Sequence, residues 1–188
     1  MKTYEIVVCA LFASLMAIGA NVSPFLTIGG VPVTLQLMFA ILAGGLLGSR
    51  LGSFSMMAYV CIGLAGAPVF AQFKGGPASI LSPTFGFVLS FIAVAYATGK
   101  LLSEPAKKAA YLYTGAVVIL LNYVIGTHYM YAAFRWWAEA PQGFSYAVAW
   151  SWMAAYLPLD LVVIALSLAA VPKIRLALSK RSVYIIKE

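Results

Sequence analysis

The sequence predicts an all-α integral membrane protein of six transmembrane helices, and three observations carry that reading. Of 188 residues, 63% are hydrophobic and only 9% charged, with a mean hydropathy of +0.97. Soluble domains carry about 25% charged and about 45–50% apolar residues. Apolar runs close to the roughly 20 residues that cross a ~30 Å hydrocarbon core follow one another along the whole chain. Short polar connections separate them, and the basic residues gather in alternate connections. Six spans use up the length, so the chain reads as one membrane domain, 1–188, with no room for a soluble catalytic unit.

The first run, Tyr4 to Val22, closes at Asn21-Val22-Ser23-Pro24. Lys2 gives it a weak positive start, but no A-x-A cleavage site follows, so it reads as a retained helix rather than a signal peptide. The second begins after Pro32, a good first-turn residue, and runs to about Ser49. The third covers about Leu51 to Val69. A Gly-rich segment, Gln72-Phe73-Lys74-Gly75-Gly76-Pro77, precedes the fourth, from about Pro83 to Leu102. After the hydrophilic Ser103–Lys108 comes the fifth, from about Ala110 to Phe134. The last apolar stretch, Phe144 to Val171, is too long for one straight crossing and contains Pro158. It predicts a short, partly inserted segment to about Ala155 and a sixth span from about Tyr156.

With the N-terminus inside, Lys2, Arg50, Lys100, Lys107, Lys108, Lys173, Arg175, Lys180, Arg181 and Lys187 fall on the cytoplasmic side. Only Lys74 and Arg135 fall outside. The positive-inside rule therefore places both termini in the cytoplasm. It also explains the net charge of +7 without a nucleic-acid partner. Cys9 and Cys61 lie in apolar runs and form no CxxC, which predicts two buried thiols rather than a disulfide or a zinc site.

No P-loop, HExxH or GxSxG motif is present, and one histidine cannot build a histidine-rich metal site. No cofactor is called for, and a binding or pore-forming unit fits better than an enzyme. Asp160 is the one acidic residue placed inside a span, where a carboxylate costs about 2.5–3.5 kcal/mol on insertion scales. Following Pro158, it reads as a first-turn residue of the last helix, either a functional group or a cap favoured by the helix dipole. Gln36, Asn122, His128 and Tyr129 fall with it in the outer half of the bundle. Each is explained by an interhelical hydrogen bond, or all of them by a single outward-facing pocket. Trp136, Trp137, Trp150 and Trp152 share one stretch that reads mainly as an interfacial belt. The Gly-rich loops at 28–33 and 72–77 have the backbone freedom of lids. Ala10, Ala13, Ala17 and Ala20 form a small-residue face, suited to packing within the bundle or to docking another membrane subunit.

Four segments in order carry a family resemblance: Gly30-Val31-Pro32-Val33-Thr34-Leu35-Gln36, Gly63-Leu64-Ala65-Gly66-Ala67-Pro68-Val69-Phe70, Gly75-Gly76 with Ser82-Pro83-Thr84-Phe85-Gly86-Phe87, and Tyr156-Leu157-Pro158-Leu159-Asp160-Leu161. Together they resemble BioY, the biotin-specific substrate-binding (S) component of energy-coupling factor (ECF) transporters. The resemblance implies the ECF S-component fold in a bacterial plasma membrane and high-affinity capture of biotin from outside. It also implies a separate energising module, a transmembrane T component and two ATPase subunits, docked on the small residues Ala10, Ala13 and Ala17. Asp160 is then the expected ureido contact, assisted by Asn122 or Gln36. Thr34, Thr84, Phe85, Tyr156 and His128 complete the candidate set, with Lys74 for the valerate. Two departures stand out. Val163 lies where many members carry a lysine, and Ser82–Phe87 replaces a Gly-Pro-Thr-Gly-Gly-Tyr run. An S component for another vitamin, or a small intramembrane enzyme or channel, is the alternative.

Overall fold

The computed structural model describes residues 2–22, 27–28, 31–32, 35–103 and 108–185. Its helices are α1 (Thr3–Val22), α2 (Gln36–Leu64), α3 (Phe85–Leu101), α4 (Lys108–Trp136) and α5 (Tyr146–Ile185). Between α1 and α2, strand β1 (Thr27–Ile28) pairs antiparallel with β2 (Val31–Pro32). Two 3-10 turns, Ala71–Phe73 and Pro77–Leu81, occupy the connection from α2 to α3.

Five helices stand where six were expected, and the difference lies in α2. At Gly48 the backbone takes φ 81° and ψ 176°, a conformation that glycine adopts without a Cβ penalty. The chain turns back there. A methyl group at Gly52 would sit 2.8 Å from the Gly44 Cα, although a straight helix would hold these residues about 12 Å apart. Likewise Gln36 reaches Tyr59 at 3.1 Å, across what would be roughly 34 Å of straight helix. α2 is therefore two antiparallel limbs, 36–47 and 49–64, which correspond to the expected second and third spans. At ~1.5 Å per residue they are about 18 Å and about 24 Å long, each short of the full hydrocarbon thickness. Taken as one helix, α2 joins α1, α4 and α5 as the four that are long and apolar enough to cross a membrane; α3 is a shorter apolar helix.

The end of the chain corrects a second expectation. No break separates an inserted segment from a last span, because α5 runs continuously for 40 residues with Pro158 and Pro172 inside it. Apolar helices tolerate proline where neighbouring groups take up the freed backbone. Asp160 consequently lies well inside α5. It is neither a first-turn residue nor a cap, and the helix-dipole argument for it fails.

Small residues let the limbs close on their neighbours. A Cβ at Gly44 would run into the Ala95 backbone of α3, one at Gly45 into the Val171 side chain of α5, and one at Gly99 into the backbone of Gly48 and Ser49. Arg175 locks this end of the bundle. Its Nε donates to the Gly45 carbonyl at 2.8 Å and its Nη2 to the Leu102 carbonyl at 2.9 Å. The Cys9 thiol lies 3.5 Å from the Leu51 carbonyl, so α1 also begins here. Both ends of the described chain therefore emerge beside the Gly48 bend. Arg50, Lys100, Lys108 and Arg175 share that end, whereas Lys74 and Arg135 stand at the other. Of the two cysteines, Cys9 is buried, but Cys61 is exposed, because it faces outward from the second limb of α2.

Any side chain at Gly44 meets backbone, which cannot rotate away, and overpacking of this kind costs roughly 1–3 kcal/mol. Gly44→Ala is expected to lower the thermal unfolding midpoint in detergent by that equivalent. A Gly48→Ala variant meets no atom within 4 Å and is expected to lose the roughly 1–3 kcal/mol of a side chain held in this glycine-only backbone region. Wild-type melting of Gly44→Ala would show that α2 and α3 are not in contact at Ala95.

Candidate ligand-binding site

Helix α4 presents consecutive residues to different neighbours, because each step turns about 100° around the axis. Asn122, buried, faces α3, where its Oδ1 accepts from the Ser90 hydroxyl at 2.7 Å. Tyr123 faces α5, and its hydroxyl donates to Asp160 Oδ2 at 2.8 Å. Asp160 is half-buried. Its Oδ1 accepts no hydrogen bond and Asn122 Nδ2 donates none among the described residues, yet neither atom is fully buried. Free acceptor and free donor thus stand on adjoining faces at the middle of the bundle. One turn along α4 from Tyr123, the Thr127 hydroxyl is fully buried and, like that of Thr98, without a partner among the described residues. This is unusual here: Ser14, Ser55, Thr114 and Ser167 all return a hydrogen bond to the carbonyl four residues back.

Apolar and aromatic side chains wall this group. Tyr156, half-buried, packs with Tyr123, Met130, Ala149 and Met153. Above them, Phe134, Phe144 and Trp152 form a cluster in which Phe134 and Phe144 approach to 4.8 Å between centroids. An acceptor, a donor and aromatic walls suit a neutral, polar-headed ligand that carries both N–H and carbonyl groups.

The other expected residues do not converge on Asp160. Gln36 donates to the Tyr59 hydroxyl at 3.1 Å, and Tyr59 donates in turn to the Val69 carbonyl at 3.1 Å. Asn21 joins from α1, accepting the Phe73 N–H at 2.7 Å. These bonds tie the start of the α2–α3 connection to the ends of α1 and α2. His128 is exposed at the edge of α4. Its ring packs on Tyr146 and Trp150, and Nε2 lies 3.1 Å from the Tyr146 hydroxyl, which fastens the first turn of α5. Phe85 is buried between Phe70 and Tyr129, while Thr84 pairs with Ser82 at 3.0 Å. Lys74 is exposed and lines a shallow surface concavity with Phe73, Ser79 and Ser82. Thr34 lies outside the described residues. On α1, Ala10 is exposed and borders an apolar groove against the second limb of α2. Ala17 is half-buried, and Ala13 is buried in the core, turned away from any partner surface.

The sequence matches the BioY family over residues 1–180. It is 36% identical to the "Putative biotin transporter BioYB" of Bacillus subtilis (strain 168), over 85% of this chain and 82% of that one. The "Biotin transporter BioY" of Thermotoga maritima is 34% identical over 65% and 71% of the two chains. The chain belongs to the BioY family. Its fold is that of a solved S-component for biotin from an ECF-type ABC transporter, with a TM-score of 0.71 at 21% identity over 93% of this chain and 94% of that one.

Within this BioY-family fold, Tyr123, Ser90 and Thr127 are the residues that sequence reading passed over. Tyr123 is one of eleven tyrosines, and only the meeting of α4 with α5 sets it apart. Tyr123→Phe removes the described donor to Asp160, and a hydrogen bond to a charged group is worth roughly 1.5–3 kcal/mol. Thermal unfolding is expected to fall accordingly. A double-mutant cycle with Asp160→Ala isolates the coupling, and a cycle that closes at zero would show that the pair does not interact.

Proposed function

We propose that this protein is the biotin-binding S component of an ECF-type vitamin uptake transporter. The observation that carries the reading is the Asp160–Tyr123 pair, with Asp160 Oδ1 and Asn122 Nδ2 left free in a chain of the BioY family. The ureido ring of biotin has two N–H donors and one carbonyl. A carboxylate oxygen and an amide N–H answer both, and the Tyr156-centred aromatic wall suits the fused thioether ring.

Orientation follows from charge. The basic Gly48 end is cytoplasmic under the positive-inside rule, so both termini are inside and the α2–α3 connection is outside. The two limbs of α2 then serve as the second and third of six membrane passages in a bacterial plasma membrane. Lys74, at the outer surface, steers or pairs with the valerate carboxylate. Biotin delivery is driven by a separate T component and two ATPase subunits, since this chain carries no P-loop. The exposed side of α1, with Ala10 beside Tyr4, Val7, Leu11 and Ile18, is the docking face.

Purified full-length protein is expected to bind radiolabelled biotin saturably in detergent or proteoliposomes. Asp160→Ala should weaken that binding by roughly 10- to 100-fold, the equivalent of one hydrogen bond to a charged group. Unchanged affinity in that variant removes Asp160 from the site, and the absence of saturable binding by the wild type sinks the reading.

A further inference from the structure

Helix α1 and the second limb of α2 set off side by side from the Gly48 end, where the Cys9 thiol lies 3.5 Å from the Leu51 carbonyl. An apolar groove runs between them. Ile6, Cys9 and Ala10 line it from α1, and Phe54, Met57, Ala58, Cys61 and Ile62 from the limb. Ile6 is 55% exposed, Ile62 46% and Phe54 38%, so the groove is open along its length.

Both linings continue one turn toward the bend into a basic residue. Arg50, Phe54, Met57, Ala58 and Cys61 recur at i, i+4, i+7, i+8 and i+11. Lys2, Ile6, Cys9 and Ala10 repeat the start of that pattern, the spacing of one helix face. The Arg50 guanidinium lies over the Phe54 ring, 5.9 Å from its centroid, which puts this charge at the mouth of the groove. Among the described residues Arg50 forms no salt bridge. Glu5, the one acid on α1, accepts the Lys2 backbone N–H at 2.8 Å. From Arg50 to Ile62 the limb rises about 18 Å, close to half of a ~30 Å hydrocarbon core.

We propose that this groove holds an acyl chain of one anionic phospholipid from the basic side of the membrane, with Arg50 and Lys2 taking its phosphate. Charge complementarity selects the occupant. A phospholipid carries its negative charge at one end of its apolar chains, as the groove carries its positive charge at one end of its apolar lining. The guanidinium offers a fork of N–H donors to phosphate oxygens, and the ammonium adds a point charge. Tyr4, Val7, Leu11 and Ile18, on the surface of α1 assigned above to the T component, stand on the opposite flank of Ala10. The lipid site therefore adds a second, separate surface to α1 and needs no biotin.

Full-length protein, purified in detergent and stripped of lipid, is titrated with dioleoylphosphatidylglycerol or dioleoylphosphatidylcholine, and adducts are resolved by native mass spectrometry. The wild type is expected to bind one phosphatidylglycerol at least fivefold more tightly than phosphatidylcholine. Arg50→Gln and Lys2→Gln should each weaken phosphatidylglycerol roughly fivefold and leave phosphatidylcholine unchanged. The exposed Cys61 thiol reports on the groove itself: bound phosphatidylglycerol should slow its alkylation by N-ethylmaleimide several-fold. Ala58→Trp, which fills the groove and keeps both cations, should remove the one-to-one adduct. Equal affinity for the two lipids, or wild-type affinity for phosphatidylglycerol in both cation variants, overturns the site. So does a Cys61 that phosphatidylglycerol never protects; protection by a co-purified membrane protein instead assigns the groove to a protein partner. Both measurements are made without biotin, so their failure is distinct from failure of the biotin reading.

Discussion

The reversal of α2 at Gly48 is the constraint on which the rest of the structure depends. Two limbs too short to cross a bilayer singly can pack only if their backbones come close, and Gly44 and Gly52 permit that approach. The same seam admits α3 through Gly99 and α5 through Gly45. Arg175 then takes two carbonyls that the bend and the end of α3 leave without helical partners. In an apolar medium an unpaired carbonyl costs several kcal/mol. The guanidinium, with its fork of donors, therefore joins three segments at one point. That junction gives the bundle a rigid end and leaves its opposite end to loops.

Helix α4 connects the two ends. It begins beside the basic bend, passes the Asn122 and Tyr123 faces at mid-depth and ends in the Tyr129 and Trp137 contacts to the α2–α3 connection. His128, read from the sequence as an interhelical contact or a pocket residue, holds the first turn of α5 through Tyr146. The tryptophans divide in the same way. Trp152 packs in the aromatic wall and Trp137 grips the connection, while Trp136 is 75% exposed, as an interfacial residue is.

Hydropathy made the frame legible, because each span must present a long apolar run whatever its neighbours. It marked α1, α3 and α4 within a few residues, and both limbs of α2. It failed at Pro158. A proline rule drawn from water-soluble helices predicts a break, but in α5 the helix continues. Asp160 stood out for a reason of energy, as an acid at membrane depth, and that signal led to a real contact. Tyr123 and Thr127 carried no such signal, since tyrosine and threonine are inexpensive in apolar helices and their meaning depends on what faces them. Gln36 left two readings open for the same reason. Polar character predicted that it needed a partner, but only the fold of α2 shows that the partner is Tyr59.

In the proposed biotin site, Asp160 decides which ligand heads fit. Val163, three residues on, offers it no cation, and among the described residues no salt bridge supplies one. Its described partner is the neutral Tyr123 hydroxyl, which satisfies one oxygen and leaves the other open. A carboxylate held this way is short of donors rather than balanced. A ligand that brings its own N–H groups supplies what the protein withholds, and its binding removes the penalty of a half-satisfied acid in an apolar surrounding. A ligand that offers only acceptors meets a second lone pair and is turned away. In the proposed site, selectivity for N–H-bearing heads thus follows from the missing cation as much as from the acid itself.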